Sequence, residues 1–410
     1  MGAPVGPCAH RQRTAAGLSL GYLLRHLTFT DGNQIALLQS GAGFYPALIT
    51  AIDGARVEIY LETYIFCLDE TGQLVVEALQ RAAARGVVVY VINDWLGTGR
   101  DNTRRLHQVL DAAGIQHRSF NPWFRRGVAR SHRKLCAVDR QVAFVGGLNI
   151  NDDMVSDRDH ITPLPAPRWD FAVRIVGPLV REIYREMEAQ WLRVGRMKLK
   201  ARWVNFKRLR HRHAGPVHDQ TQAGLVVRDN FRNRRTIQRA YLQALGRARE
   251  TAFLANPYFA PGRKMRRALV EAAQRGVKVT LLLGVGQFVM QDAVAHSFYP
   301  GLLRAGVRIV EYTHTELHAK VAVVDDRWAT VGSSNYDGLS LFVNQEANVV
   351  VQDPAFAGYL RQEIEAGAAQ GRVVHLADFL HVPCYKRAAY AAAFLLYRTV
   401  IHIITLGNDA

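Results

Sequence analysis

The stretch SHRKLCAVDRQVAFVGGLN, Ser131–Asn149, returns in the same chain as LHAKVAVVDDRWATVGSSN, Leu317–Asn335, at a fixed offset of 186 residues. The first copy carries His132, Lys134 and Asp139, then Gly146 and Asn149; the second carries His318, Lys320 and Asp325, then Gly332 and Asn335. Residues two apart on an extended strand share a face, so each histidine lies beside its lysine. The positions after them are apolar (Leu135, Ala137; Val321, Val323), as a central buried strand requires. A lysine and a histidine on such a strand are costly unless they face a cleft. One His-x-Lys pair is ordinary surface decoration, whereas two complete copies at one spacing mark a shared site.

The duplication extends outward from these strands. Val57–Phe66 reads as a buried strand, Gln73–Ala84 as a helix broken at Gly86, and Val87–Ile92 as the next strand. The second half repeats this order with strand Thr251–Tyr258, helix Lys264–Ala273, Gly276 and strand Val277–Leu283. Further on, Phe171–Val176 and Ala347–Val351 read as strands, each followed by a proline (Pro178, Pro354) placed to open a helix. Alternating strands and helices imply an α/β fold with a mostly parallel or mixed sheet. Two copies imply two tandem α/β lobes related by a pseudo-twofold, with the site at their interface.

Expected boundaries are an N-terminal extension over 1–40, a first lobe over 41–192 and a second over 223–366. A linker over 193–222 joins the lobes, and a tail over 367–410 follows. Arg193–His213 holds nine Lys or Arg and no acid, interleaved with Trp203 and Phe206, which suits contact with phosphates. The whole chain of 410 residues carries 52 Lys+Arg against 35 Asp+Glu, a formal charge of +17. That balance points to a polyanionic partner, nucleic acid or an anionic membrane. At 49% hydrophobic, the composition is globular and excludes a disordered or collagen-like chain. Cys8, Cys67, Cys136 and Cys384 have no metal-ligand spacing and fit a reducing compartment.

No secretory signal is evident, since Arg25 and His26 interrupt the apolar run near the start. Ala388–Leu406 is long enough to reach across a bilayer, but Arg398 near its middle costs about 2.5–3.5 kcal/mol there. Arg398, His402 and Thr405 make one polar stripe, so an interfacial helix is the preferred reading over a spanning or a core-docked one.

Two histidines and two lysines in one cleft suit phosphoryl chemistry. The lysines and asparagines supply positive charge and donors for charge growing on a phosphoryl group. One neutral histidine can attack phosphorus while the other, protonated, gives its proton to the leaving alcohol. Opposite protonation states in a symmetric pair mean that the two titrate as a unit. This chemistry requires no metal or other cofactor, and the chain has no Walker loop, His-Glu-x-x-His or Gly-x-Ser-x-Gly elbow.

The paired motifs resemble those of the phospholipase D superfamily, and the chain is similar in particular to bacterial cardiolipin synthases of the short B type. The similarity also covers 32–52, 59–66, Gly146–Asn149, 168–178 and Gly332–Asn335. It implies two phospholipase D-like α/β/α lobes and a covalent phosphatidyl-histidine, formed as the donor's head-group alcohol departs and passed to a second lipid's hydroxyl. It also implies His132 as nucleophile and His318 as acid, then base. Lys134 and Lys320 would hold the phosphate, and Asn149 and Asn335 would bind substrate. Asp139 and Asp325 complete the catalytic motifs in a mainly structural and electrostatic capacity.

An acid in each copy is expected to hydrogen-bond that copy's own histidine: Glu346 for His318, and Asp170 for His132 across the proline-bearing stretch Ser156–Pro167. Glu62 and Asn256 occupy corresponding strand positions and are expected either to face the cleft or to make strand-end hydrogen bonds, and Cys136 is expected to be a buried apolar residue. The substrate expected is phosphatidylglycerol in an anionic membrane, met peripherally on the cytoplasmic face of a bacterial cell membrane, with no nucleic acid partner. A hydrolytic phospholipase D is the first alternative. A nuclease is less suited, because nothing on DNA uses the apolar C-terminus. A scaffold without catalysis would not need both motifs intact.

Overall fold

The computed structural model describes residues 27–159, 161–195, 221–229, 233–380 and 382–404. Most of the basic linker, most of the N-terminal extension and Thr405 lie outside these residues. The strands of the first half are β1 (Thr30–Gln39), β2 (Glu58–Thr63), β3 (Val88–Asp94), β4 (Gln116–Phe120), β5 (Arg125–Val128), β6 (Leu135–Val138), β7 (Val142–Gly146) and β8 (Phe171–Val176). Those of the second are β9 (Thr221–Arg228), β10 (Thr251–Asn256), β11 (Lys278–Gly284), β12 (Arg308–Tyr312), β13 (Val321–Val324), β14 (Trp328–Gly332), β15 (Glu346–Gln352) and β16 (Gly371–Val374).

All but β5 belong to one 15-stranded sheet, in the order β16-β12-β11-β10-β13-β14-β15-β9-β1-β8-β7-β6-β2-β3-β4. Read outward from the β9–β1 seam, the two halves run β15-β14-β13-β10-β11-β12 and β8-β7-β6-β2-β3-β4, so one is the image of the other. The pseudo-twofold therefore passes through the seam, where β1 and β9 pair antiparallel. The motif strands β6 and β13 are buried on both faces: Leu135, Ala137, Val321 and Val323 pack into a core common to both lobes. Cys136 and Val138 face the first lobe's outer helices, and Ala322 and Val324 the second's. Helix Leu179–Val194 of the first half and Pro354–Ala369 of the second close the common core from the other side.

Local chemistry sets the ends of these elements. Asp353 accepts from Phe356 N at 2.7 Å, and Pro354 then opens the helix, as its fixed φ favours. Gly86 and Gly276 sit at φ +87° and +92° where helix turns to strand, a conformation costly for any residue with a Cβ.

Two boundaries need moving. β1 lies inside the expected extension over 1–40 yet is the seam strand, paired with β8 from Gln34↔Val176 to Gln39↔Phe171. Its alternation is weak because it is held at both edges by backbone bonds and only partly buried. Likewise β16, inside the expected tail, pairs antiparallel with β12 and extends the sheet. The C-terminal helix, Cys384–Ile404, docks one face on helix Val289–Arg304. Phe394 meets Phe298 edge-on at 5.2 Å, Tyr390 meets His296 at 5.4 Å, and the Tyr397 hydroxyl accepts from Gly338 N at 2.5 Å. Its other face leaves Leu395, Leu396, Val400 and Ile403 exposed. No described helix is long and apolar enough to cross a membrane.

Candidate active site

Both motif segments run into β6 and β13 from the lobe interface, and their histidines and lysines are buried there: His132, Lys134, His318 and Lys320 all lie below 9% exposure. Each lysine folds back so that its Nζ donates to the carbonyl of its own histidine, at 2.8 Å for Lys134 and more closely for Lys320.

The acids reach across the interface. His132 Nδ1 lies 3.2 Å from Glu346 Oε2 and 3.0 Å from Ser333 O, both in the second lobe. His318 Nδ1 lies 2.6 Å from Asp170 Oδ2 in the first. The expectation that each histidine pairs with the acid of its own copy is thus reversed. Backbone pairing is the cause. Ser131 forms a parallel bridge with Gln345, and Trp169 with Leu317. His132 N donates to Gln345 O at 2.9 Å, and His318 N to Trp169 O at 3.0 Å. Each motif is therefore stitched to the residue just before the other lobe's acid.

Because the two partners of His132 Nδ1 and the one partner of His318 Nδ1 are all acceptors, each Nδ1 carries the proton and Nε2 keeps the free lone pair. No described group hydrogen-bonds His132 Nε2. His318 Nε2, by contrast, has Asp157 Oδ2 at 3.5 Å. Asp157 is ion-paired with Arg168, and its backbone N donates to Glu316 Oε2 at 3.1 Å. These residues flank the insert, which makes the first copy ten residues longer between histidine and acid (38 against 28). The insert thus furnishes one half-site with a carboxylate that has no counterpart in the other among the described residues.

Burial and the neighbouring lysines push both histidines below the ordinary imidazole pKa, His318 well below it. Burial also lowers Lys134 well below its usual range and Lys320 to about 8, with the two cations repelling one another on the Lys134 side. Asp170 is raised to about 6, again by burial, against the pull of Lys320. These surroundings favour neutral imidazoles. An anion between the lysines would cancel their repulsion and let one histidine take up a proton.

The remaining expected residues divide. Asn149 and Asn335 are buried beside their motifs; Asn149 Oδ1 accepts from Ile65 N at 3.3 Å, while Asn335 Oδ1 has no hydrogen-bond partner among the described residues. Asp139 and Asp325 do not enter the cleft, lying beyond the far ends of β6 and β13, about 20 Å along the chain from their histidines. Each instead accepts three backbone N–H bonds: Asp139 from Arg56, Val57 and Glu58, Asp325 from Arg249, Glu250 and Thr251. Both sit at positive φ, +52° and +51°, in the turn that ends the strand.

Glu62 and Asn256 do not correspond. Glu62 pairs with Leu135 while Ala255 pairs with Val321, so the equivalent of Asn256 is Thr63, which points to the opposite face. Glu62 accepts from Ser131 Oγ at 2.5 Å and Gln190 Nε2 at 3.2 Å in a polar layer behind the site. Asn256 Oδ1 accepts from Tyr336 N and fixes the chain next to Asn335.

Sequence reasoning missed Tyr64, whose ring meets His132 edge-on at 4.8 Å, and also Ser333 and Asp157. The unequal spacing of histidine and acid was the available signal for Asp157. Cys136 is buried and its thiol is pushed up to about 12 by burial, in keeping with an apolar role. Among the described residues no three His, Cys, Asp or Glu are grouped as metal ligands would be.

A two-lobed sheet with paired His-Lys motifs at the seam defines the phospholipase D-like class. The model of the family described as "Cardiolipin synthase, PLD-like domain" matches residues 48–162 and 241–367, and the chain belongs to that family. It is 38% identical over 343 residues to cardiolipin synthase B of Salmonella typhi, covering 82% of this chain and 80% of that one. Cardiolipin synthase B of Escherichia coli K12 is 38% identical over 345 residues, covering 82% and 81%. Among solved structures, phosphatidylserine synthase of Haemophilus influenzae superposes with a TM-score of 0.66 over 93% of this chain and 97% of that one. At 16% identity, that likeness speaks for the fold alone.

Proposed function

We propose that the protein is a phosphatidyltransferase that makes cardiolipin from two phosphatidylglycerol molecules and releases glycerol. The observation that carries the chemistry is the crossed pair of histidine–acid hydrogen bonds around two buried lysines. The lipid identity is supported by the 38% identity to the B-type synthases.

The donor's phosphate enters between Lys134 and Lys320, with Asn335 Oδ1 and the asparagine amides free to orient the head group. Nε2 of His132 attacks phosphorus. The P–N bond forms, the P–O bond to the glycerol head group breaks, and the departing oxygen takes a proton from His318 Nε2. Asp170 and Asp157, facing the two nitrogens of His318, favour the imidazolium needed for that donation once the phosphate offsets the lysines. In the second half-reaction neutral His318 takes the proton of the incoming hydroxyl. The new P–O bond forms as the P–N bond breaks, restoring His132.

Peripheral attachment to the cytoplasmic face of a bacterial membrane accords with the formal charge of +17. The test is incubation of the protein with phosphatidylglycerol vesicles in excess chelator, with products identified by mass spectrometry. Cardiolipin with free glycerol is expected. Phosphatidic acid alone would make the protein a hydrolase instead.

A further inference from the structure

Next to the catalytic seam, but outside it, the C-terminal helix closes a cavity of about 180 Å³ against the start of helix Arg263–Gln274 and helix Val289–Arg304. Its floor reaches Gly338, three residues past Asn335. Phe298, Phe342 and Phe394 form the apolar part of the wall, and Arg263, Arg266 and Arg398 the charged part. No carboxylate lines it, and none of the three arginines is ion-paired among the described residues. Arg266 stacks over Phe298 at 4.3 Å and donates to Pro261 O at 2.8 Å, which fixes it in place. Burial, with the charges of Arg263 and Arg398 nearby, lowers its pKa from the ordinary guanidinium value.

Arg266 is partly buried and Arg263 and Arg398 are exposed at the rim, so three like charges converge on one partly apolar pocket, and an anion between them offsets their repulsion. The volume says how much of a ligand fits. At about 180 Å³ the pocket has room for a phosphoryl group but not for a lipid's acyl chains. Chains would have to lie outside. Directly beside the cavity they would meet an apolar track: Leu395 is one turn from Arg398, and Leu396, Val400 and Ile403 continue the exposed face. The docked face of the same helix is satisfied by the protein, so among its described side chains this outer apolar face is left to cover.

We propose that this cavity is a second, non-catalytic site for an anionic phospholipid, its phosphate held by Arg263, Arg266 and Arg398. The lipid's chains and the outer face of the C-terminal helix share the membrane interface. Such a site seats the second lobe on an anionic bilayer with the seam close to the surface. The inference extends the membrane-associated reading of the protein, but it is tested without any turnover.

The experiment is flotation of the full chain with vesicles of phosphatidylcholine alone or of equal parts phosphatidylcholine and phosphatidylglycerol. It is done in the His132→Ala background so that no lipid is consumed. Binding to the anionic vesicles is expected, and Arg263→Gln with Arg398→Gln should weaken it at least about tenfold. Leu396→Glu, at an exposed position that leaves the docked face intact, should weaken it comparably. Turnover of detergent-dispersed lipid by the same variants on the active background should stay within about twofold of the parent.

Unchanged flotation of the arginine variant would overturn the proposal. So would stabilisation by inorganic phosphate that depends on these arginines without any vesicle dependence, since the site would then take free phosphate. A protein that floats in this arginine-dependent way but makes no cardiolipin would sink the proposed activity and leave this site standing.

Discussion

The two half-sites are built from one duplicated plan and differ where it matters. His132 is held by Glu346, whose Oε2 also accepts from Ser333 Oγ at 2.5 Å. His318 is held by the shorter Asp170, and the residue equivalent to Ser333 is Gly147, where a Cβ would come within 2.2 Å of Asp170 Oδ1. The glycine makes room for one acid, and the serine hydroxyl braces the other. Among the described residues only the His318 half has a further carboxylate, Asp157, facing the imidazole's second nitrogen. A twofold frame thus gives two positions for histidine, and the insert in one copy distinguishes them in the way the proposed division into nucleophile and acid requires: no described group hydrogen-bonds His132 Nε2, whereas Asp157 faces His318 Nε2.

The largest effects should come from removing either histidine. His132→Ala and His318→Ala are each expected to lower transfer by at least about ten-thousandfold, measured as cardiolipin formed per enzyme. Near-normal transfer in either variant would contradict a shared site.

Next come the acids. Glu346→Gln and Asp170→Asn should each cost about a hundredfold to ten-thousandfold. The imidazole N–H resonance that moves should belong to His132 in the first and to His318 in the second. The opposite pattern would restore the pairing expected within each copy.

Lys320→Ala should cost about 3 kcal/mol of transition-state stabilisation. Lys320 titrates at about 8, charged below and neutral above, so kcat/KM should fall as pH rises through that value. In Lys320→Ala that alkaline limb should be gone; its persistence would assign the limb to another group.

Asp157→Asn sharpens the comparison most finely, with an expected loss of about tenfold confined to the half-reaction in which His318 gives up its proton. Asp139→Ala and Asp325→Ala should act on stability, by about 2 kcal/mol each in denaturant unfolding, because three backbone donors lose a charged acceptor. Activity of the folded fraction should be retained.

Most of this frame was legible in the chain. Period and spacing located β6 and β13, the flanking strands and helices, and the two His-Lys pairs, because a duplicated motif leaves two independent copies of every signal. The pairing of acids was not legible. Which lobe supplies Glu346 or Asp170 depends on the bridges Ser131–Gln345 and Leu317–Trp169, contacts between distant segments that no local pattern encodes. The same holds for the mismatch of Glu62 with Asn256, where one residue of register turns a side chain to the other face. β1 escaped notice as a seam strand because backbone pairing on both edges, rather than an apolar face, holds it in the sheet.

The most direct test of unequal half-sites is to find the covalent intermediate. Turnover on phosphatidylglycerol would be stopped in alkaline denaturant, the chain digested, and the phosphatidyl adduct located by mass spectrometry. An adduct on His132, with His318 unmodified, is the predicted result. An adduct on His318 alone, or equally on both, would contradict the division of labour drawn from Asp157 and the free Nε2 of His132.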